Sequence, residues 1–234
     1  MTRIAIHQPE HLPWLGYLDK ARHADEFIFL DTVAFKKNYF ENRNRIRTPQ
    51  GWAWVTVPVL LKGRFGQAFL DVEINNQARW AEVYWRTILQ NYSRAPFWKM
   101  YGPVLEELLL RPWEKLIDLN LALIEWVWRA FGILTPTRRA SALGVNGKKS
   151  GLLLDICRKT GATVYLSGPS GRDYLEQALF TDAGIGIEFH EFHHPEYPQR
   201  FSPFVPGMAS IDLLLNEGPD GIRRLDNVLS KNIL

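Results

Sequence analysis

The spacing of apolar residues changes several times along the chain, and each change marks an element. Residues 4–6 are a short apolar run with a β-branched residue at each end, halted by His7-Gln8-Pro9 and Pro13. That pattern predicts a buried first strand over 3–7, because proline cannot extend a ladder. Pro13 suits the first turn of a helix. Trp14, Leu18 and Ala21 then recur at spacings of four and three, on one helical face. Glu26-Phe27-Ile28-Phe29-Leu30-Asp31 reads as a second strand. Strand, helix and strand within about 30 residues form a βαβ unit, which favours parallel pairing.

Residues 52–59, WAWVTVPV, are strongly β-prone, with Pro58 marking an edge or an end. FLDVEI, around 68–73, reads as a further strand. Trp80, Val83, Tyr84, Thr87, Ile88, Asn91 and Tyr92 recur at helical spacing in 79–92. In 113–131, Glu114, Asp118, Glu125 and Arg129 form one narrow polar stripe on an otherwise apolar helix, which predicts burial. The last third returns to alternation. Helices are expected at 149–160 and 171–179, strands at 163–167 and 186–192, and closing helices at 208–216 and 219–230. The segment 193–207 carries four prolines and reads as a long loop. No repeat, low-complexity tract or linker interrupts this pattern. The expectation is a single α/β domain over 1–234: a mostly parallel sheet with flanking helices and a helical insertion at about 79–135. In such sheets ligands bind beyond the carboxyl ends of the strands.

Composition narrows the class. Apolar residues make up 46% of the chain and charged residues 23%, an ordinary globular balance. Nine Trp and thirteen Phe are unusual, and suit a core or a ligand pocket. The single cysteine, Cys157, excludes an internal disulfide and a cysteine zinc cluster, and fits a reducing cytoplasm. It lies on one helical face with Leu153, Ile156 and Thr160, the pattern of a buried, inert thiol. The N-terminus has no apolar signal core, and charges interrupt the 113–131 helix, so no membrane span is expected.

Four segments carry candidate chemistry. His7 and Gln8 close the first strand and lead to a helix start, where backbone N–H groups favour anions. His7 reads as a general base or phosphate ligand, or else as a hydrogen-bonded core histidine. His7 and His11 lie across a proline loop with no third ligand in view, so no metal site is expected. The second segment, 36–47, sets Lys36, Lys37, Arg43, Arg45 and Arg47 against the single acid Glu41. With Asn38 and Asn44, these residues suit phosphate or carboxylate, and the plain alternative is a solvated charged loop. A net charge of only +3 and the lack of a matching motif argue against nucleic acid. In the third segment, a strand runs into Ser167-Gly168-Pro169-Ser170-Gly171 and on to Tyr174. The glycines allow close approach of a phosphate; the plain alternative is a turn with Ser170 as helix cap. It matches neither the phosphate-binding loop nor the nucleophile-elbow pattern. The fourth groups His190, His193 and His194 with Glu188, Glu191 and Glu196; surface or loop packing is favoured there over metal or acid–base roles.

Together these residues suggest more than a fold class. HQPEHLPWLGYLDK, DEFIFLDTVAFKKNYFENRNRI and WVTVPV resemble the opening of the WbqC-like family, and YLSGPSGRDYL, HHPEYPQ and SIDLLLNEG resemble its later motifs. The resemblance covers roughly 3–60 and 148–218. It departs at His11, where an aromatic such as Tyr is usual, while His7, Gln8, Trp14, Gly16 and Tyr17 match. Family members are often encoded among genes for O-antigen polysaccharides or specialised metabolites, and some are labelled glycine transferases. The resemblance therefore implies transfer of an acyl or aminoacyl group, glycyl in some members, onto an amine or amino-sugar acceptor such as a sugar nucleotide. The donor would be a phosphopantetheine-linked thioester on an acyl or peptidyl carrier protein. His7 would deprotonate the amine and Gln8 would steady the oxyanion. Lys36, Lys37, Asn38, Arg43, Asn44 and Arg45 would hold phosphates, Ser167, Gly168, Ser170 and Gly171 would form a second cradle, and Trp14, Tyr17 and Tyr174 would line the substrate. Two alternatives stay open: an adenylating ligase or nucleotidylyltransferase using ATP with Mg²⁺, and a non-catalytic protein binding a sugar nucleotide or a partner.

Overall fold

A computed structural model describes residues 1–226. The chain divides into two compact units. The first comprises Met1–Gln8, Asp19–Val33 and Leu134–Phe192; the second comprises Pro9–Leu18, Ala34–Ile133 and His193 onward.

In chain order the elements are β1 (Arg3–His7), α1 (Leu15–Arg22), β2 (Glu26–Phe29), β3 (Arg43–Thr48), β4 (Gly51–Thr56), α2 (Trp80–Tyr92), α3 (Trp98–Leu110) and α4 (Leu116–Ala130). After these come β5 (Thr137–Arg139), α5 (Lys149–Thr160), β6 (Val164–Ser167), α6 (Gly171–Tyr174), α7 (Gln177–Asp182), β7 (Gly186–Phe189) and α8 (Ile211–Glu217).

The first unit is built on a five-stranded sheet of order β5-β2-β1-β6-β7, and every pairing in it is parallel. Counted by its own strands, the order is 3-2-1-4-5, that of nucleotide-binding α/β sheets. The chain reverses direction of growth between β1 and β6, so the carboxyl ends of these two strands flank the switch point. The register aligns Ala5 with Leu166 and Leu166 with Glu188. Arg3, Ala5, His7, Glu188 and His190 therefore share one face, and Ile4, Ile6 and Tyr165 share the other. That second face is dry. Ile4, Ile6, Ile28 and Tyr165 pack there against Leu153, Ile156 and Cys157 of α5 and Phe180 of α7. Burial pushes the Cys157 thiol up to about 12, as expected of an inert core thiol. At the end of β2 the fully buried Asp31 accepts bonds from Arg139 Nε (2.8 Å), Ser141 N (2.9 Å) and Ser141 Oγ (2.6 Å), fixing the chain after β5.

The second unit holds α2, α3, α4 and α8 with an antiparallel hairpin of β3 and β4. On α4 the exposed residues are Asp118, Glu125 and Arg129, the stripe the sequence marks as polar. One polar residue is buried on the same helix. Asn120 Nδ2 donates to Pro9 O and Glu41 O, both at 2.8 Å, and Asn120 Oδ1 lies 2.9 Å from His11 Nδ1. A second buried polar centre is Asp212, which accepts from Tyr92 Oη (2.7 Å), Tyr197 Oη (2.8 Å) and Gln199 Nε2 (2.8 Å).

Several local expectations change. Residues 36–47 are not one solvated loop: 43–48 form β3, in which Asn44 and Ile46 point inward. Arg47 is buried as well; it donates to Gly51 O (2.6 Å), Phe201 O (2.9 Å) and Pro203 O (2.6 Å), pinning the proline-rich 193–207 segment. Residues 68–73 are not a strand but a 3₁₀ turn, Phe69–Asp71, followed by isolated bridges. The 171–179 helix is broken at Leu175-Glu176 into α6 and α7, and the strand expected to reach 192 ends at Phe189. Of the 219–230 helix, Pro219–Arg224 is a 3₁₀ helix, and 227–230 lie outside the described residues. Among the described residues, no helix is long and apolar enough to cross a membrane.

Candidate functional site

The site begins with β1. Its apolar residues are drawn into the sheet, so the strand delivers His7 and Gln8 half-buried at its carboxyl end. His7 O accepts from Leu30 N at 2.8 Å, which fixes the strand end against β2. The His7 ring has Nδ1 3.3 Å from Gln8 O, so Nδ1–H donates to that carbonyl. In the neutral ring this assignment leaves Nε2 as the accepting nitrogen.

Across the switch point, β6 ends in the buried Ser167 and turns through the half-buried Gly168 and the exposed Pro169 and Ser170 into α6. Gly171 packs closely in this turn: a Cβ on it would stand 2.1 Å from Ser167 Oγ and 3.0 Å from Leu175 Cδ1, so an added side chain would force both to shift. Ser170 sits at the cap position of α6 but makes no side-chain cap bond, contrary to the plain turn-cap expectation. Tyr174 is exposed. The first unit thus brings His7 and Gln8 to the same sheet edge as Ser167, Gly168, Ser170 and Gly171.

The candidates of the β1 loop from Trp14 on and of the basic 36–47 segment lie in the second unit. Trp14 covers Gly16, where a Cβ would stand 2.3 Å from the indole. Tyr17 is buried, and desolvation holds its hydroxyl well above the usual phenol range. Asn44 is fully buried and donates to Leu12 O (2.7 Å) and His11 O (3.2 Å), so its amide N–H groups hold the loop rather than a ligand. Lys36, Lys37 and Asn38 are exposed, and Arg43 donates to Asn38 O. On the outer face of the hairpin, Arg43 stacks on Trp54 (4.2 Å to the centroid) and Arg45 on Trp52 (5.3 Å). That face couples two guanidinium groups to two exposed indoles, a surface suited to an anion carrying a flat or apolar group.

His11 is a core histidine. It is fully buried, with Asn120 Oδ1 at Nδ1 and Tyr84 Oη at Nε2, each 2.9 Å away. Both ring nitrogens are used, and burial pushes the ring down to about 4, so it stays neutral and is no metal ligand. Nearby, Glu41 is buried and accepts from Lys36 N at 2.8 Å; desolvation raises its carboxyl to about 7.

The fourth sequence segment splits. Glu188, Glu191, His193 and Glu196 are exposed, and His194 stacks on Tyr197 and Phe204. His190 is buried instead, with Nε2 2.7 Å from Asp19 Oδ2, which corrects the surface reading for this residue. Lys20 beside it is also buried, and its Nζ donates to Ile6 O at 3.1 Å. Asp19 and Lys20 carry no signal in the sequence reading, which names His190 without a partner for it.

Comparison with known proteins follows this geometry. No solved structure gives a significant match to the chain. The "Uncharacterized protein Rv1507c" of Mycobacterium tuberculosis is 33% identical over 228 residues, spanning 95% of this chain and 98% of that protein. The model of the WbqC-like protein family matches residues 8–224, which takes in the loop after β1, the hairpin and the turn after β6, and the chain belongs to that family.

Proposed function

We propose that the chain is an amide-forming acyl or aminoacyl transferase, with the reacting groups at the β1/β6 switch point of the first unit. The observation that supports this reading most is the strand-order reversal, which sets His7-Gln8 beside the Ser167–Gly171 turn at one sheet edge. An attacking amine must be neutral. His7 Nε2 accepts its proton as the nitrogen adds to the thioester carbonyl, while the Gln8 side-chain amide donates to the developing oxyanion; collapse breaks the C–S bond and the imidazolium returns the proton to the departing thiolate. The small-residue turn admits the phosphate of a phosphopantetheine arm close to the backbone. The donor is a carrier-linked thioester, glycyl among the candidates, and the acceptor an amine or amino sugar. The Arg43/Trp54 and Arg45/Trp52 face of the hairpin is proposed separately as an anion-binding surface for a phosphate-bearing substrate or an acidic carrier protein.

His7→Ala tests the assignment. General-base catalysis contributes typically about 10²–10⁴-fold, so turnover should fall by that range with substrate affinity retained. Full activity in the variant would remove His7 from the mechanism. One observation favours a second reading. The 3-2-1-4-5 strand order is that of mononucleotide-binding sheets, which suits adenylation by ATP with Mg²⁺. Acyl-dependent pyrophosphate release would establish that chemistry, and amide formation from a preformed thioester without ATP would exclude it.

A further inference from the structure

Asp19, His23 and His190 collect at one point of the first unit, on residues the transfer chemistry does not use. Asp19 and His23 are four apart at the end of α1, and His23 N still bonds to Asp19 O (3.2 Å), so the helical register holds and both side chains share a face. His190 arrives from the end of β7. Its backbone N–H donates to Ser167 O at 2.8 Å, which fixes where the ring starts. Its Nε2 lies 2.7 Å from Asp19 Oδ2; His23 Nδ1 lies 3.6 Å from Asp19 Oδ1 and donates to Asp19 O at 2.8 Å, a bond it gives up if Nδ1 rather than Nε2 takes the ion. One ligating atom from each residue lies within 4.8 Å of the others.

We propose that Asp19, His23 and His190 form a binding site for a divalent transition metal, zinc or an ion of like preference. Metal–nitrogen and metal–oxygen bonds of about 2.0–2.2 Å place ligand atoms roughly 3.3–4 Å apart, so the hydrogen-bonded Asp19–His190 pair, at 2.7 Å, opens slightly while the third ligand closes in. Two imidazoles with one carboxylate select zinc, cobalt or nickel; magnesium and calcium prefer oxygen alone. Asp19 and His190 are buried and His23 is exposed, which gives the site a fixed inner side and an outer side open to solvent. Three protein ligands leave a fourth position for water or a substrate atom, the arrangement of reactive rather than purely structural zinc. Arg22 Nη1 lies 3.8 Å from Asp19 Oδ1, and a divalent ion competes with it for that oxygen. Histidine and aspartate are 171 residues apart in the His190–Asp19 contact, so only the parallel topology makes the site.

The inference is independent of the transfer reading, and metal binding can fail while that reading stands. The test is calorimetric titration of tag-free, chelator-treated protein with zinc chloride, with cobalt(II) absorption as a second readout. One equivalent should bind, and the cobalt form should show the visible bands of a four-coordinate ion. His23→Ala is the decisive variant, because His23 is exposed and its loss leaves the fold intact. Losing an outer partner of a ligand already costs about 10–100-fold, so His23→Ala should weaken zinc binding at least about 100-fold. His190→Ala should do the same, and His193→Ala should change nothing. Binding that is absent, or unchanged in His23→Ala, would overturn the site and leave Asp19–His190 as a plain hydrogen-bonded contact.

Discussion

Replacing Glu41 by Gln should make the second unit insensitive to one titration that now opposes folding at neutral pH. Glu41 is buried; Lys36 N donates to its Oε2, and its Oε1 has no partner among the described residues. Desolvation outweighs the hydrogen bond and the nearby lysine charge, and the carboxyl rises from 4.5 to about 7. The folded state therefore binds this proton more tightly than the unfolded chain does. Stability from the group is full below 4.5 and is lost as pH rises to about 7, with a limiting slope of about 1.4 kcal/mol per pH unit and a total of about 3 kcal/mol. His11 works the other way. Its ring titrates at about 4 when folded and 6.5 when not, so its contribution is lost as pH falls through that interval. The two slopes cancel over much of the mildly acidic range, so the wild-type curve alone hides both. The difference between variant and wild type isolates Glu41, because every other group subtracts out. Gln keeps an oxygen for Lys36 N–H and cannot ionise. Urea unfolding from about pH 4 to about pH 8.5 should show the stability of Glu41→Gln relative to wild type rising by about 3 kcal/mol between 4.5 and 7, then levelling. Parallel curves across that range would refute the argument that Glu41 is desolvated in the native state.

Other perturbations follow from single contacts. Asn120→Leu removes the partner of His11 Nδ1, Pro9 O and Glu41 O together. Leaving buried polar groups unpaired costs about 1–3 kcal/mol each, so chemical denaturation should show a loss of at least about 3 kcal/mol. Gly16→Ala should drive the Trp14 indole off the start of α1, costing about 1–3 kcal/mol and changing tryptophan fluorescence; an unshifted spectrum would contradict the close packing. Cys157 should resist alkylation at pH 8 in the native protein and react fully in urea, since burial keeps its thiol protonated.

Much of the first unit is legible in the sequence because its elements obey simple periods. Residues 3–7 and 26–29 are apolar runs stopped by polar or proline positions, and the helix-bearing connection between them favours parallel pairing. The stripe of Asp118, Glu125 and Arg129 is exposed as its spacing requires. The hairpin was harder. In RNRIRT alternation is present, yet the inward residues include Asn44, and Arg47, in phase with the outer Arg43 and Arg45, is buried all the same. Their burial depends on carbonyl partners from the proline-rich segment and the loop after β1, which no local pattern encodes. Residues 68–73 carry strand propensity, but a 3₁₀ turn at Phe69–Asp71 leaves them only isolated bridges to bond. The short, polar β5 offers no periodicity at all. The chain passes repeatedly between the two units, so no linker composition marks their boundary. The site divides the same way. His7-Gln8 and the Ser167–Gly171 turn are readable as strand ends, whereas Asp19, His23 and His190 become neighbours only through the sheet order.

The most direct test of the central claim is whether the switch point of this protein holds a phosphate-bearing acyl donor. Thermal unfolding would be followed with phosphopantetheine, coenzyme A, several sugar nucleotides, and ATP with Mg²⁺, each well above its dissociation constant. A ligand at about 100 times that constant stabilises by about 2.7 kcal/mol. The account predicts stabilisation by phosphopantetheine or coenzyme A, reduced when Gly171→Ala closes the turn. Stabilisation by ATP with Mg²⁺ alone, coupled to pyrophosphate release, would contradict the thioester mechanism, and no stabilisation by any phosphate-bearing donor would contradict the site itself.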